Sequence, residues 1–226
     1  IVSVFCLAIG VLAFSLMIRF VSVMSERADY IGGERAMQLN ISKKDFAGDI
    51  PFYEEDVRRL ENQVTGMLDS ISAFSYEANM DVEVVGIDGN ETPYQVTCKV
   101  ANSSAFLFWK LPLLYGSRLP EKEDEIIVSA SFARKIAGGD NPVGRVVRIA
   151  SQTSANGITD YWIVNVVAEN ENGGSPRTEC WFPLSLKPKA WLQVYALREQ
   201  GISPESLKKR LARMTWVRGE EVMHVK

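Results

Sequence analysis

The sequence predicts an α+β fold, in which an N-terminal transmembrane helix precedes an α/β subdomain that carries an inserted β-rich subdomain. Three observations lead to this prediction. Residues 1–18 contain no charged side chain. Two segments with helical apolar spacing, one toward each end of the remaining chain, are flanked by strand patterns. Between about residues 102 and 186 the pattern changes to short strands separated by loops of Gly, Pro and Asn.

The first predicted element is a membrane-spanning helix. The apolar run of residues 1–18 continues past Arg19 to Met24, which is enough to cross a hydrocarbon core of about 30 Å. A cleaved signal peptide is the alternative, although its apolar stretch is shorter, and the sequence at 13–15 that loosely fits a cleavage site lies inside the run. A buried helix of a soluble protein is a third interpretation.

The membrane helix is expected to end where charge returns. The segment Ser25-Glu26-Arg27-Ala28-Asp29-Tyr30 is the first charged cluster, and Gly32 and Gly33 then break the helix. Residues 1–31 are therefore predicted to form the helix and its stalk. The two glycines are candidates for a flexible joint or for a simple helix stop.

The first half of the α/β subdomain is predicted over residues 32–101. A short strand pattern covers residues 37–41, and the acidic residues after Pro51 favour a helix start. The expected apolar face of that helix contains Val57, Leu60, Val64, Met67 and Ile71. A hairpin follows, with strands around Val84 and over 94–100 and a turn at residues 88–90.

The β-rich insertion is predicted over residues 102–186. Strand patterns cover residues 125–128, 146–150, 161–168 and 178–182. Ser129 is the expected N-cap of a short helix that Gly138 and Gly139 end. The tetrapeptide Asn141-Pro142-Val143-Gly144 predicts a turn.

The second half of the α/β subdomain is predicted over residues 187–226. A strand covers residues 191–197, and a second strand covers residues 222–225. Between them Ser203 is the expected cap of a helix with Pro204 in its first turn. The basic cluster at 208–213 lies toward the helix C-terminus, which favours a solvated face over a lipid or anion site.

Composition excludes several functions. The chain has 28 acidic and 25 basic residues, so no basic surplus indicates nucleic-acid binding. The single histidine, His224, is expected to be an ordinary strand residue, and no Gly-rich loop predicts a nucleotide site. The acidic residues at 121–125 are predicted to form a solvated turn instead of a cation site or a carboxylate pair. No catalytic, cofactor-binding or metal-binding residue is predicted.

The cysteines leave two interpretations open. Cys6, Cys98 and Cys180 are too far apart in sequence for a structural zinc site. Cys98 and Cys180 could form a disulfide in an oxidising compartment. Isolated cysteines on strands are more often buried as small apolar side chains, which is the favoured interpretation.

The order of several motifs resembles that of FtsX/MacB-type ABC transporter permeases. Leu7-Ala8-Ile9-Gly10 and the charged cluster at 26–30 are similar to the start of such permeases, and Leu111-Pro112-Leu113-Leu114-Tyr115-Gly116-Ser117-Arg118-Leu119 resembles their segment of leucine followed by Gly-x-Arg. The stretch from Ile127 through Asn141-Pro142-Val143-Gly144-Arg145 and Ile149, with the strand at 162–167, completes the resemblance. Asn165 stands where that strand often carries glycine.

The resemblance implies a permease with four transmembrane helices and a large extracytoplasmic domain, comprising a porter-like α/β part and a β-rich insertion. It implies location in the cell inner membrane, with residues after about 31 in the periplasm. The implied partners are a separate cytoplasmic ATP-binding subunit, a second permease copy, and a periplasmic adaptor or cargo. The protein would then couple ATP hydrolysis to export or mechanotransmission, without itself being an enzyme.

Two other functions remain open from the sequence. A membrane-anchored sensor or ligand-binding module would show a pocket with convergent polar groups. A membrane-anchored hydrolase would need a buried pair of carboxylates in a cleft.

Overall fold

The computed structural model describes residues 35–43, 50–64, 66, 68–86, 89–149, 157–168, 178–219 and 221–225. The membrane helix and stalk predicted over residues 1–31, and the glycine pair that follows, lie outside these ranges. Within the described ranges, no helix has the length and apolar character needed to cross a membrane.

Four α-helices and twelve strands make up the described chain. The helices are α1 (Glu54–Gln63), α2 (Ser103–Phe108), α3 (Ala130–Ala137) and α4 (Pro204–Leu211), and a 3-10 turn covers Leu184–Leu186. The strands are β1 (Ala36–Leu39), β2 (Ile41–Lys43), β3 (Leu68–Ser75), β4 (Ala78–Val85), β5 (Glu91–Val100), β6 (Glu125–Ser129), β7 (Val146–Ile149), β8 (Asp160–Val167), β9 (Cys180–Phe182), β10 (Leu192–Arg198), β11 (Thr215–Arg218) and β12 (Glu221–Val225).

Two small antiparallel sheets form the α/β part. Their strand orders are β1-β10-β3 and β11-β12-β2. The chain passes from the first sheet to the second at Asn40, between β1 and β2. Val57 and Leu60 of α1, with Leu207 and Leu211 of α4, are buried in the same apolar cluster as side chains from both sheets. This shared core makes the two sheets and two helices one packed unit.

The middle of the chain forms a closed six-stranded barrel. The strand order is β4-β5-β9-β6-β8-β7, and β7 pairs with β4 to complete the ring. The β5–β9 and β6–β8 pairs are parallel, and the other pairs are antiparallel. Closure leaves no strand of this sheet with an unpaired edge.

The barrel is inserted at one point of the first sheet. The chain leaves this sheet at the end of β3 and returns at the start of β10, and Ser75 is directly paired with Leu192 in the β3–β10 ladder. The hairpin β4–β5, which the sequence grouped with the porter-like residues 32–101, pairs with β7 and β9. The strand pairing therefore groups residues 78–100 with the later barrel strands.

Local signals identified many elements correctly. The β4–β5 hairpin, strands β6 and β8, and strand β10 are confirmed. Ser129 caps α3 by accepting a hydrogen bond from Phe132 N at 3.1 Å, and Gly138 ends it in the left-handed conformation. Ser203 likewise accepts from Ser206 N at 3.1 Å at the start of α4.

Three predictions about local structure are wrong or incomplete. Helix α1 ends at Gln63, and Ile71 belongs to β3 instead of extending the helix. Gly66 has a φ of +79°, which breaks the helix, and the helical spacing beyond it is a coincidence of pattern. The strand predicted over 37–41 is two strands in different sheets. The sequence did not reveal this division, because the alternation of apolar and polar residues continues across Asn40. Helix α2 and strand β11 were not predicted individually.

A buried carboxylate joins α1 to the second sheet. Asp56 is only 3% exposed. It accepts hydrogen bonds from Tyr53 N at 2.8 Å and from Trp216 Nε1 at 2.7 Å, and it pairs with the Arg218 guanidinium. Arg218 Nη2 also donates to Pro51 O at 3.1 Å. The Asp56 side chain thus completes the first turn of α1 and holds β11 against this helix.

We expect Asp56→Ala to lower the free energy of unfolding by about 3 kcal/mol, because it leaves the Arg218 guanidinium and the Trp216 indole without their acceptor. Denaturant unfolding of a fragment beginning at residue 32 measures the loss. Glu55→Ala, in the same helical turn but solvent-exposed, is the control and should change stability by less than about 0.5 kcal/mol. Equal effects of the two substitutions would contradict this role of Asp56.

Candidate functional site

A buried aromatic cluster attaches the barrel to the α/β part. Helix α2 follows β5 and packs against β3, where Ser72 Oγ donates to Ser104 O at 3.1 Å. Asn102, just before α2, accepts from Ala73 N at 3.0 Å and donates to Ile71 O at 2.7 Å. The cluster combines side chains of the first sheet, α2 and the outer barrel face: Phe74, Phe106, Phe108, Trp109, Ile127, Val164 and Trp181.

Beside this cluster lies a cleft of about 220 Å³ between α1 and the barrel. One wall is formed by α1 through Glu54, Val57, Arg58 and Glu61. The other wall comes from the segments at 101–106, 120–125 and 181–185. The cleft therefore lies at the junction of the two parts, which is a common place for ligand sites and for relative motion.

The lining of the cleft is acidic. Five glutamates contribute to it against two basic side chains, Arg58 and Lys122. Arg58 contacts Glu54 on its own helix at 2.6 Å and Glu123 of the opposite wall at 3.4 Å. Because the Arg58 side chain is 61% exposed, this bridge across the cleft contributes little to stability and can open at low cost.

One cleft glutamate differs from the solvated turn that the sequence predicted. Glu125 is 4% exposed, although Glu121 and Glu123 are exposed as expected. The Glu125 carboxylate pairs with Arg118 and accepts from the backbone N of Glu121 at 2.9 Å. The run of acids concealed this difference, because only the tertiary structure buries Glu125, the first residue of β6, in the cleft wall.

Asn165 fixes the neighbouring loop. It is fully buried in β8, where its Oδ1 accepts from Tyr115 N at 3.1 Å and its Nδ2 donates to Arg118 O at 3.0 Å. The loop that carries Arg118 is thereby held beside Glu125. The asparagine in place of the glycine expected from the resemblance thus has a structural role in this chain.

The cleft also alters the acidity of Glu61. Glu61 is an exposed residue at the edge of the cleft, and partial desolvation of its carboxylate raises its pKa, which the hydrogen bond with Asn102 and the charge of Arg58 oppose. Nearby, Trp181 is 2% exposed, and its Nε1 has no hydrogen-bond partner among the described residues. The lining of the cleft thus includes both carboxylates and Trp181, whose indole N–H is a buried hydrogen-bond donor.

The histidine and the two described cysteines considered from the sequence do not line the cleft. His224 lies in β12, where it is paired with Thr215. Cys98 and Cys180 are both buried as free thiols, and they face each other on β5 and β9. In the ranges that the structure describes, no group of three or more His, Cys, Asp or Glu side chains is placed to hold a metal ion.

The fold is similar to that of several solved domains. A domain of a Porphyromonas gingivalis protein described as a permease aligns with a TM-score of 0.60 and 16% identity, over 85% of this chain and 90% of that one. The periplasmic region of MacB from Actinobacillus actinomycetemcomitans aligns with a TM-score of 0.56 and 16% identity, over 83% and 85% of the two chains. The extracellular domain of the noncanonic ABC-type transporter YknZ from Gram-positive bacteria gives 0.52 and 20% identity, over 78% and 88%.

The family is established by sequence. The family model of the MacB-like periplasmic core domain matches residues 1–214, so the chain belongs to this family. Its place is therefore in an ABC-type permease, with the folded domain outside the cytoplasm. Comparison with curated proteins gave no match.

We expect Glu125→Ala to lower the free energy of unfolding by about 2 kcal/mol, because the Arg118 guanidinium and the amide of Glu121 lose their acceptor. Hydrogen exchange at the Glu121 amide should accelerate in the same variant. Glu123→Ala, on the exposed side of the same turn, is the matched control and should leave stability nearly unchanged. Protection of the Glu121 amide that survives Glu125→Ala would contradict the anchoring role.

We expect Glu61→Gln to stabilise the domain slightly at pH 7, because Glu61 is exposed and water screens most of the cost of its charge. A carboxyl whose pKa is raised on folding stabilises the folded state most when it is protonated, so its charge destabilises the fold above the folded pKa. Below about pH 4.5 the carboxyl is protonated in the folded and unfolded states alike, and the advantage of Gln disappears. Thermal unfolding between pH 4 and pH 7 measures this trend. A Glu61→Gln variant that is less stable than the parent at pH 7 would show that Glu61 is not destabilised by partial desolvation.

Proposed function

We propose that this domain transmits motion across the membrane in a permease that couples ATP hydrolysis by a separate cytoplasmic subunit to export or mechanotransmission. The helix predicted over residues 1–24 would carry the motion from the membrane, with residues after about 31 in the periplasm. A helix suits this task because its hydrogen bonds are internal, so it can move as a rigid element through lipid.

The observation that carries the proposal is the pairing of the first strands with the last. Strand β2 pairs with β12, with Ile41 opposite Val225, and β1 pairs with β10 of the other sheet. A displacement of the chain preceding β1 therefore acts on both sheets of the α/β part at once. The barrel, inserted at Ser75 and Leu192, follows as an attached body.

The cleft fits the role of a joint in this proposal. Its walls belong to the two parts, and the Arg58–Glu123 contact between them is exposed and individually weak. Beside the cleft, the aromatic cluster keeps the parts attached. We accordingly place the division between the two parts at about residues 76 and 183, instead of the predicted 102 and 186.

The partners in this proposal are the ATP-binding subunit and a second permease copy, with an adaptor or cargo outside the membrane. The distance between the two permease copies can be measured from a label on α4, because Glu205 is exposed at the start of that helix. In the full-length permease reconstituted with its ATPase, a nitroxide attached to Glu205→Cys gives the distance between copies by pulsed electron paramagnetic resonance.

We expect this distance to change by several ångströms between the nucleotide-free and ATP-trapped states, because the α/β part moves with the membrane helix. An ATPase subunit unable to bind ATP is the control and should abolish the change. An identical distance in both states, with ATP binding intact, would refute mechanical coupling. It would favour the alternative of a ligand-binding module, to which the acidic cleft and Trp181 lend support.

A further inference from the structure

Two cysteines 82 positions apart in the sequence occupy directly opposite positions in adjacent parallel strands. Cys98 of β5 is in register with Cys180 of β9, followed by Lys99 with Trp181 and Val100 with Phe182. Adjacent strands are about 4.8 Å apart, and opposed side chains lie on the same face. That spacing is within the range of Cα separations, about 4.4–6.8 Å, that a disulfide can bridge.

Both thiols belong to the apolar core of the barrel. Cys180 is fully buried and Cys98 is 3% exposed, and both join the cluster that contains Val100 and Phe182. Burial raises the pKa of each thiol, and the charge of Cys98 further raises the pKa of Cys180, as expected for close neighbours. In the folded domain both groups are therefore protonated at neutral pH.

One of the two thiols borders a cavity. Cys98 contributes to the lining of a space of about 300 Å³ next to Tyr76, Lys187 and Trp191. The ammonium of Lys187 favours the thiolate of Cys98, although burial has the larger effect on its pKa. Of the two sulfurs, Cys98 is therefore the one that borders a cavity, and Cys180 lies beside it on the adjacent strand.

We propose that Cys98 and Cys180 form a disulfide that links β5 to β9 of the barrel in the oxidising compartment outside the cytoplasm. The oxidant is a disulfide, either of a thiol–disulfide oxidoreductase or of a small molecule. The Cys98 thiolate attacks it, forming a mixed disulfide and releasing one thiol. The Cys180 thiolate then attacks Cys98 Sγ and releases the second thiol. The protein loses two electrons and two protons, which the oxidant gains.

The disulfide would reinforce the barrel at its shortest strand. Strand β9 has only three residues, and it alone connects β5 to β6 in the barrel order. Both bonded strands continue directly into the cleft wall, β5 into Ala101 and Asn102 and β9 into Pro183. The disulfide would therefore fix one wall of the cleft while leaving α1 free to move against it.

Mass spectrometry of the native protein tests the proposal. The full-length permease is extracted from cells in the presence of an alkylating agent, denatured without reductant and digested. We expect a linked pair of peptides containing Cys98 and Cys180, two hydrogen masses lighter than the free peptides together, while Cys6 is alkylated. Alkylation of both Cys98 and Cys180 in this sample would overturn the proposal.

A second measurement does not depend on the cell. Reduced full-length protein is treated with glutathione disulfide, and the linked peptide should appear faster at pH 9 than at pH 7, because attack requires thiolates. The oxidised protein should also unfold at a higher temperature than the reduced one, and Cys98→Ala/Cys180→Ala should lose this redox difference. A persistent glutathione adduct on Cys98 without the linked peptide would show that the two sulfurs cannot meet.

Discussion

The two-part architecture depends on the backbone pairing of Ser75 with Leu192. These residues mark the points where the chain leaves the first sheet to build the barrel and where it returns. Since they are neighbours in one antiparallel ladder, an insertion of more than a hundred residues leaves β3 and β10 continuous with their sheet. The aromatic cluster around α2 restrains the barrel about this attachment, because Phe74 of β3 and Phe106 of α2 both pack against Trp109.

The two walls of the cleft are held by different polar interactions. Glu125 and Asn165 are buried and satisfied by backbone groups of the loop that carries Arg118, so this wall is fixed. The α1 wall is instead bridged by an exposed arginine. One wall is therefore held by buried hydrogen bonds, and the other is bridged to it by an ion pair that water screens. This difference allows the cleft to open without unfolding the domain.

The thiol pair and the joint complement each other mechanically. Force applied through the α/β part reaches the barrel at β3, β10 and α2, and the short strand β9 is the least supported member of the ring. A covalent bond between β5 and β9 would let the barrel respond as one body. The relative motion would then be confined to the cleft, where the contacts are weakest.

The sequence by itself determined the features whose causes are local. Ser129 and Ser203 cap helices through bonds to amides three residues ahead, and the β4–β5 hairpin is closed by its own turn, so these elements could be found in short windows. Family membership could be inferred from the order of such windows. The acids at 121–125 show the limit, because nothing in this charged segment indicates that only Glu125 is buried.

Only the tertiary structure decided how the strands pair. Asn40 divides one alternating pattern between two sheets, and the hairpin that adjoins the α/β residues in sequence instead belongs to the barrel. The same long-range pairing places Cys98 beside Cys180 and Ser75 beside Leu192. A strand pattern specifies which face is buried but not which partner buries it, because backbone hydrogen bonding is the same for every partner, and side-chain packing between distant segments makes the choice.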